Sequence, residues 1–212
     1  MALLMTRAPI RVQSTTGTAL TVTAVTKADP GVATATGHGL TTGDVVRFAV
    51  STGMLELDYQ TVRVIVTSTD EFELENLNTT NFSDWVSGTA IPISTWHTLC
   101  FATGVDLPNN PPNKVTTTNL CSYSEETSIG LSGEVSGSIP IQDTPGSAAL
   151  KALSELPAGS VVSFKHTWDS GEEKVFSAQP VYGGGYSGNV GDVTTGQIDV
   201  TLKGRIISYA AP

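Results

Sequence analysis

The sequence predicts a mainly β chain with one flanking α-helix and a small barrel-like β module, and three observations carry that expectation. The first is composition. Of 212 residues, 15% are charged and 39% apolar, where an average soluble domain has about a quarter charged. Thr, Gly, Ser and Asn fill the difference, and Thr and Val recur along the chain, a β-branched and turn-rich mix that favours many short strands. The second is period-two alternation in short segments bounded by Gly, Pro, Asn and Asp. The third is that only one segment combines helical periodicity with start and stop signals. A helical bundle, a coiled coil and a helical solenoid are excluded. The length suits one large or two small domains.

Residues 1–18 read as an irregular N-terminal arm ending in Ser14-Thr15-Thr16-Gly17. Residues 19–90 then read as a self-contained β module. Leu20 to Val25 alternates, and Asp29-Pro30-Gly31 turns the chain. Val32 to Thr36 is a short strand stopped by Gly37-His38-Gly39. Gly43-Asp44 leads into Val45–Val50, and Thr61 to Thr67 sets Val62, Val64 and Val66 against Arg63 and Ile65. Phe72 and Leu74 sit in a last strand before the polar loop Asn76 to Asn81. A module of this size lies at the lower limit of independent stability.

A second β-rich unit runs from residue 91 to 212. Thr95 to Thr103 is a strand candidate carrying Trp96, Leu99 and Phe101, and the Pro-rich stretch 107–113 must be a loop. The clearest strand spans residues 129–141. Ile129, Leu131, Val135, Ile139 and Ile141 share one face, and Ser132, Glu134, Ser136 and Ser138 the other. The helix is expected at about 145–156, with Thr144 as cap, Pro145 first and Pro157 beyond its end. Leu150, Leu153 and Leu156, with Ala149 and Ala152, form its core stripe. At about twelve residues it must dock on a sheet to persist. Strands follow at Val161 to Trp168, Lys174 to Gln179 and Gln197 to Tyr209. The last alternates Ile198, Val200, Leu202 and Ile206 against Asp199, Thr201, Lys203 and Arg205.

The formal net charge is −9, the wrong sign for a protein that grips phosphates. It suits first an ordinary acidic protein, and it also fits one that lets nucleic acid pass without holding it. The opening MALLMTRAPIRVQ has too short an apolar run for a signal peptide, and no stretch is long enough to span a membrane. Cys100 and Cys121 fit no zinc spacing and read as small buried residues of a chain made in a reducing cytoplasm, with nothing that calls for a disulfide. His38 reads as a turn residue, and His97 and His166 as residues on strand faces. Gly183, Gly185 and Gly188 spell Gly-x-Gly-x-x-Gly, but no helix follows to hold a pyrophosphate, so Tyr182 to Gly196 reads as a loop. Neighbours on a strand point apart, so Glu125-Glu126 and Glu172-Glu173 form no acid–base or metal pair and read as solvated loop charges. No catalytic residue, metal ligand or cofactor is expected.

Three segments of the second unit form a pattern. They are Thr117-Thr118-Asn119-Leu120-Cys121 with Glu125-Glu126, then Gly130-Leu131-Ser132-Gly133-Glu134-Val135-Ser136-Gly137, then Pro145-Gly146-Ser147-Ala148-Ala149-Leu150-Lys151-Ala152-Leu153. Over residues 91–209 the chain resembles the tail tube (major tail) proteins of long-tailed, non-contractile bacteriophages. Residues Thr26 to Leu40, Gly43-Asp44-Val45-Val46 and Thr69-Asp70-Glu71-Phe72-Glu73-Leu74 are similar to a small β module common in phage structural proteins. That module is labelled after a catalytic-cysteine half-domain of ubiquitin-activating enzymes. Residues 19–90 hold no cysteine, so the label implies no such catalysis. The family usually carries its added domain at the C-terminus, whereas here it lies near the N-terminus.

The resemblance implies a tail-tube-type β-sandwich over residues 91–212. Hexameric rings of it would stack through an arm and a long loop into a hollow conduit for DNA during ejection. The implied partners are other copies of the chain, a tape measure protein, a tail terminator and tail-tip proteins, in a virion tail assembled in the bacterial cytoplasm. DNA would pass without specific binding, and no membrane is involved. Lumen-facing candidates are Ser132, Glu134 and Ser136, then Asp199 and Thr201, whose sign Lys203 and Arg205 would blur. Glu134 fits equally as a solvated charge on an outer surface. The module is expected as an add-on to the outer wall. Two rival readings are another non-catalytic virion β protein, at the tail tip, connector or host-binding end, and a phage glycan hydrolase needing two convergent carboxylates.

Overall fold

A computed structural model of the chain describes residues 8–107, 114–116, 123–124, 127–129, 135–143 and 146–211. It is mainly β with one short helix, as composition predicts. In chain order the strands are β1 (Ile10–Thr16), β2 (Leu20–Val22), β3 (Ala24–Val25), β4 (Val32–Thr34), β5 (Val45–Thr52), β6 (Thr61–Val66), β7 (Glu71–Leu74) and β8 (Ser87–Thr98). They continue as β9 (Lys114–Thr116), β10 (Thr127–Ile129), β11 (Ser136–Gln142), then helix α1 (Ala148–Ser154). After the helix come β12 (Val162–Thr167), β13 (Glu173–Val181), β14 (Tyr186–Ser187), β15 (Thr195–Leu202) and β16 (Ile207–Tyr209).

One 14-stranded sheet runs β11-β15-β13-β12-β1-β8-β5-β6-β7-β4-β3, with β2, β14 and β16 paired beside that path. β9 and β10 form a separate antiparallel pair. Two apolar cores divide the molecule. The first gathers the module residues Val46, Phe48, Met54, Leu57, Val62, Val64, Phe72 and Leu74, together with Val175, Ile207 and Tyr209 from the far end of the chain. The second packs Ile10, Val12, Leu99, Ile139, Ile141, Phe164, Phe176, Ile198 and Val200 under Leu150 and Leu153 of α1.

Several expectations change here. Residues 10–16, read as part of an irregular arm, form β1, an interior strand between β12 and β8. Ile10 and Val12 are buried in the second core, and Arg11, Gln13 and the threonines face the other way, an alternation the flanking Ser/Thr run obscured. Leu20 to Val25 is two strands. β2 pairs with β8 and β3 with β4, and the switch falls at Thr23, whose N–H reaches Thr34 O at 2.9 Å. The strand expected at 95–103 is β8, which starts earlier and stops at Thr98. Beyond it, residues 101–106 fold along the outer edge of β11, with Asp106 and Ser138 exchanging backbone bonds of 2.9 and 2.8 Å. A Cβ at Gly137 would lie 2.3 Å from Asp106 O. Glycine is required there by close approach.

The strand expected at 129–141 is divided by its pairing. Ile129 ends β10 on β9, and Ser136 opens β11 on β15. The helix starts at Ala148 after Ser147, which makes no side-chain cap bond. Gly146, at φ 86°, holds a left-handed backbone that a helix starting at 145 could not contain. The last strand breaks after Leu202. Gly204 turns the chain so that β15 and β16 pair with different halves of β13. Ile206, expected in the core, is 38% exposed in that break. Residues 1–7 and 108–113, with Glu125, Glu126, Leu131, Ser132, Glu134, Thr144, Pro145 and Cys121, lie outside the described residues.

Candidate functional site

β11 and β15 are antiparallel partners over their whole length, and their register sorts the side chains cleanly. Ile139 faces Ile198, and with Ile141 and Val200 they are at most 1% exposed. The apolar half of each strand is therefore spent on the second core. Directly opposite residues share a face, so the other half forms one open surface. Ser136 stands opposite Thr201, and Ser138 opposite Asp199. Across β15, Gln179 faces Thr201 and Val181 faces Asp199, which extends the surface onto the end of β13. Three of the five lumen candidates, Ser136, Asp199 and Thr201, thus come together on one small-residue face. Ser132 and Glu134 lie outside the described residues.

Asp199 is the charged group on this part of the face, and the Gln197 side-chain amide donates to its Oδ1. β15 ends at Leu202, yet the Lys203 N–H still donates to Ser177 O at 2.9 Å, one step on from Thr201 opposite Gln179, so Lys203 stays at the edge of this surface and Arg205 leaves it. Arg205 instead stacks its guanidinium 5.8 Å over the Phe82 ring of the module. Of the two cations expected to blur the sign, Arg205 is drawn away and Lys203 remains beside Thr201.

The module is not a separate add-on. β8 serves both units, pairing with β5 through residues 87–92 and with β1 through 93–98. The module also covers the first half of the same β13 face whose second half is open. Thr61 on β6 bonds both Ser163 (2.9 Å) and Ser177, all three being fully buried. Arg63 holds Glu75 through two bonds of 2.6 Å and reaches Glu173 at 3.5 Å. Lys165 approaches Glu173 from the other side at 3.5 Å.

Glu173, read from sequence as a solvated loop charge, is instead a half-buried ion-pair partner across the junction. The bonds to Glu75 hold the Arg63 guanidinium above its ordinary pKa, against burial. The Arg63 N–H donates to the Tyr209 hydroxyl at 2.8 Å, and burial pushes that phenol well up. Arg47 donates to Gln13 Oε1 (2.8 Å) and Val161 O (2.6 Å), and burial lowers its pKa. The signal for this junction was present in the sequence. Arg47 and Arg63 each interrupt an apolar strand, and an inward charge needs a partner.

Chemistry of other kinds finds little support among the described residues. No group of three or more His, Cys, Asp or Glu is placed to hold a metal ion. His38 sits in a turn, where Nδ1 accepts from Leu40 N–H at 3.0 Å. His97 pairs with Ser14 on the β8–β1 ladder, and His166 on β12 bonds Ala8 O at 3.0 Å. Cys100, expected to be buried, is exposed, because the chain leaves the sheet at Leu99. It lines a cleft of about 310 Å³ with Ala8, Pro9, Ile10, Leu99 and residues 102–105, which bring no carboxylate, imidazole or amine beside the thiol. The Gly183–Gly188 stretch leads into β14 and a turn.

No curated protein matches the chain. Residues 30–91 match the family model of the ubiquitin-activating enzyme E1 FCCH domain. That stretch runs from β4 to the start of β8, holds no cysteine, and covers less than a third of the chain. The similarity is to a non-catalytic β module.

Proposed function

We propose that the chain is a structural, non-catalytic subunit of a phage tail tube. Hexameric rings of it stack into a hollow conduit for DNA within the virion. The observation that supports this reading most is the open face of β11, β15 and the end of β13. It is built from Ser136, Ser138, Gln179, Val181, Asp199 and Thr201, with a basic residue, Lys203, only at its edge beside the module. A basic wall would bind phosphate at every ring in a salt-dependent ladder. A wall of hydroxyls and amides with a sparse negative charge keeps a hydrated layer between DNA and protein. The net charge of −9 acts in the same direction.

The module bears on how such a wall is arranged. It lies on the same side of the sheet as the open face, displaced along β13, so it must sit at one end of the wall segment rather than behind it. Closing the sheets between copies would also cover the edges that a chain of many short strands exposes. Negative-stain electron microscopy of the purified protein tests the reading. Hollow tubes of uniform width are expected. Discrete particles would favour a tip or connector component, and persistent monomers would remove the tube altogether.

A further inference from the structure

The two ends of β13 carry complementary surfaces. Beyond its last residue, the β14–β15 hairpin turns at Asn189-Val190-Gly191-Asp192. Asp192 N–H donates to Asn189 O at 3.0 Å, and Gly191 takes φ 94°, so the turn is closed and Val190 stands at its apex. Val190 is fully exposed and Val193 is 62% exposed, with the Asp192 carboxylate between them. No Lys, Arg or His occurs from Val175 to Leu202. This is an apolar, acidic knob on a polar surface.

At the first residues of β13, about 30 Å away by strand rise, lies a groove of about 200 Å³. Leu107, His166, Trp168, Lys174, Phe176 and Ile206 line it. Its walls are apolar and aromatic. Lys174 stands at 5.6 Å over the Trp168 ring, and among the described residues no carboxylate lies within ion-pair distance of it. Ile206 is exposed there because β15 and β16 part around it.

We propose that the hairpin tip of one copy inserts into this groove of the next, with Val190 and Val193 against Leu107, Trp168 and Ile206 and Asp192 beside Lys174. An exposed valine that fits a pocket elsewhere on the same molecule makes a head-to-tail contact, which propagates as a ring or a stack. The charges of the two surfaces are opposite, and each is apolar where the other is. The tube reading supplies only the number of copies. The contact itself follows from the two surfaces.

The test is sedimentation velocity and electron microscopy on the full chain carrying Val190→Asp or Ile206→Asp, alone and mixed. Each variant alone should need at least about tenfold more protein to associate than the wild type. Mixed, they should form dimers, since each keeps the half that the other lacks. Asp192→Lys should also fail, and combining it with Lys174→Asp should restore association, which guards against a simple folding defect. Tubes from either valine or isoleucine variant would overturn the contact while leaving the tube reading intact. Discrete wild-type oligomers that the variants cannot form would support the contact and refute the tube. A mixture that stays monomeric, or a wild type monomeric at every concentration, would overturn the contact.

Discussion

Thr61 is the shared partner of two serine hydroxyls, Ser163 and Ser177, in a place no water reaches. Its methyl packs and its hydroxyl bonds, so a valine there keeps the shape and removes the partner. A buried hydroxyl left without its bond costs about 1–3 kcal/mol, and Thr61→Val should lower stability by that order in chemical denaturation. An unchanged midpoint would mean that the two serines satisfy each other. His166 gives a pH dependence with a definite sign. Burial lowers its pKa, against the bond to Ala8 O, and the nearby Lys174 charge adds to the lowering. The native state therefore takes up the proton less readily than the unfolded chain. Stability is whole above the ordinary histidine value of about 6.5 and declines as pH falls below it. The melting temperature should drop over that window, and His166→Gln should flatten the drop. Equal slopes for the two proteins would assign it to other groups.

Among the elements, α1 is only seven residues long, too short to hold by itself. Its order comes from Leu150 and Leu153, 5% and 4% exposed in the second core, where α1 lies on β1, β8 and β13. Leu153→Ala should cost about 2–5 kcal/mol, read as a lower denaturant midpoint, and an unaltered midpoint would remove the helix from the core. Leu150 and Leu153 were legible in sequence as a stripe, whereas Leu156, expected with them, lies past the end of α1 and is only partly buried. β4 to β7, β12, β13 and β15 were legible because strands with one buried face must alternate. β1 was hidden because Ser14, Thr15 and Thr16 make its outer face resemble a loop. β8 was misplaced because its two buried residues, Ala90 and Ile93, are three apart, so the strand shows no single period of two. The break at Gly204 was missed for a related reason: Ile206 continues the alternation of β15 by spacing while facing solvent. The open β11–β15 face was foreseen in Ser136, Asp199 and Thr201. The junction through Arg63, Glu75 and Glu173 joins residues as many as 110 apart, a separation that local patterning cannot bridge.

At the scale of the molecule, the two cores are separate but the sheet is continuous, and Val175, Ile207 and Tyr209 complete the module from the end of the chain. The module is thus built into the second unit, and its position in any assembly is tied to that of β13. If Ser136, Asp199 and Thr201 line a lumen, the six modules of a ring must clear the bore while sharing their side of the sheet. A side-chain-resolution electron cryomicroscopy map of the assembled protein reads both facts at once. A six-fold tube is expected, with these three residues on the inner wall and the modules displaced along the strand direction, clear of the channel. A tube with Asp199 on its outer surface, or with the β11–β15 face buried between copies, would contradict it.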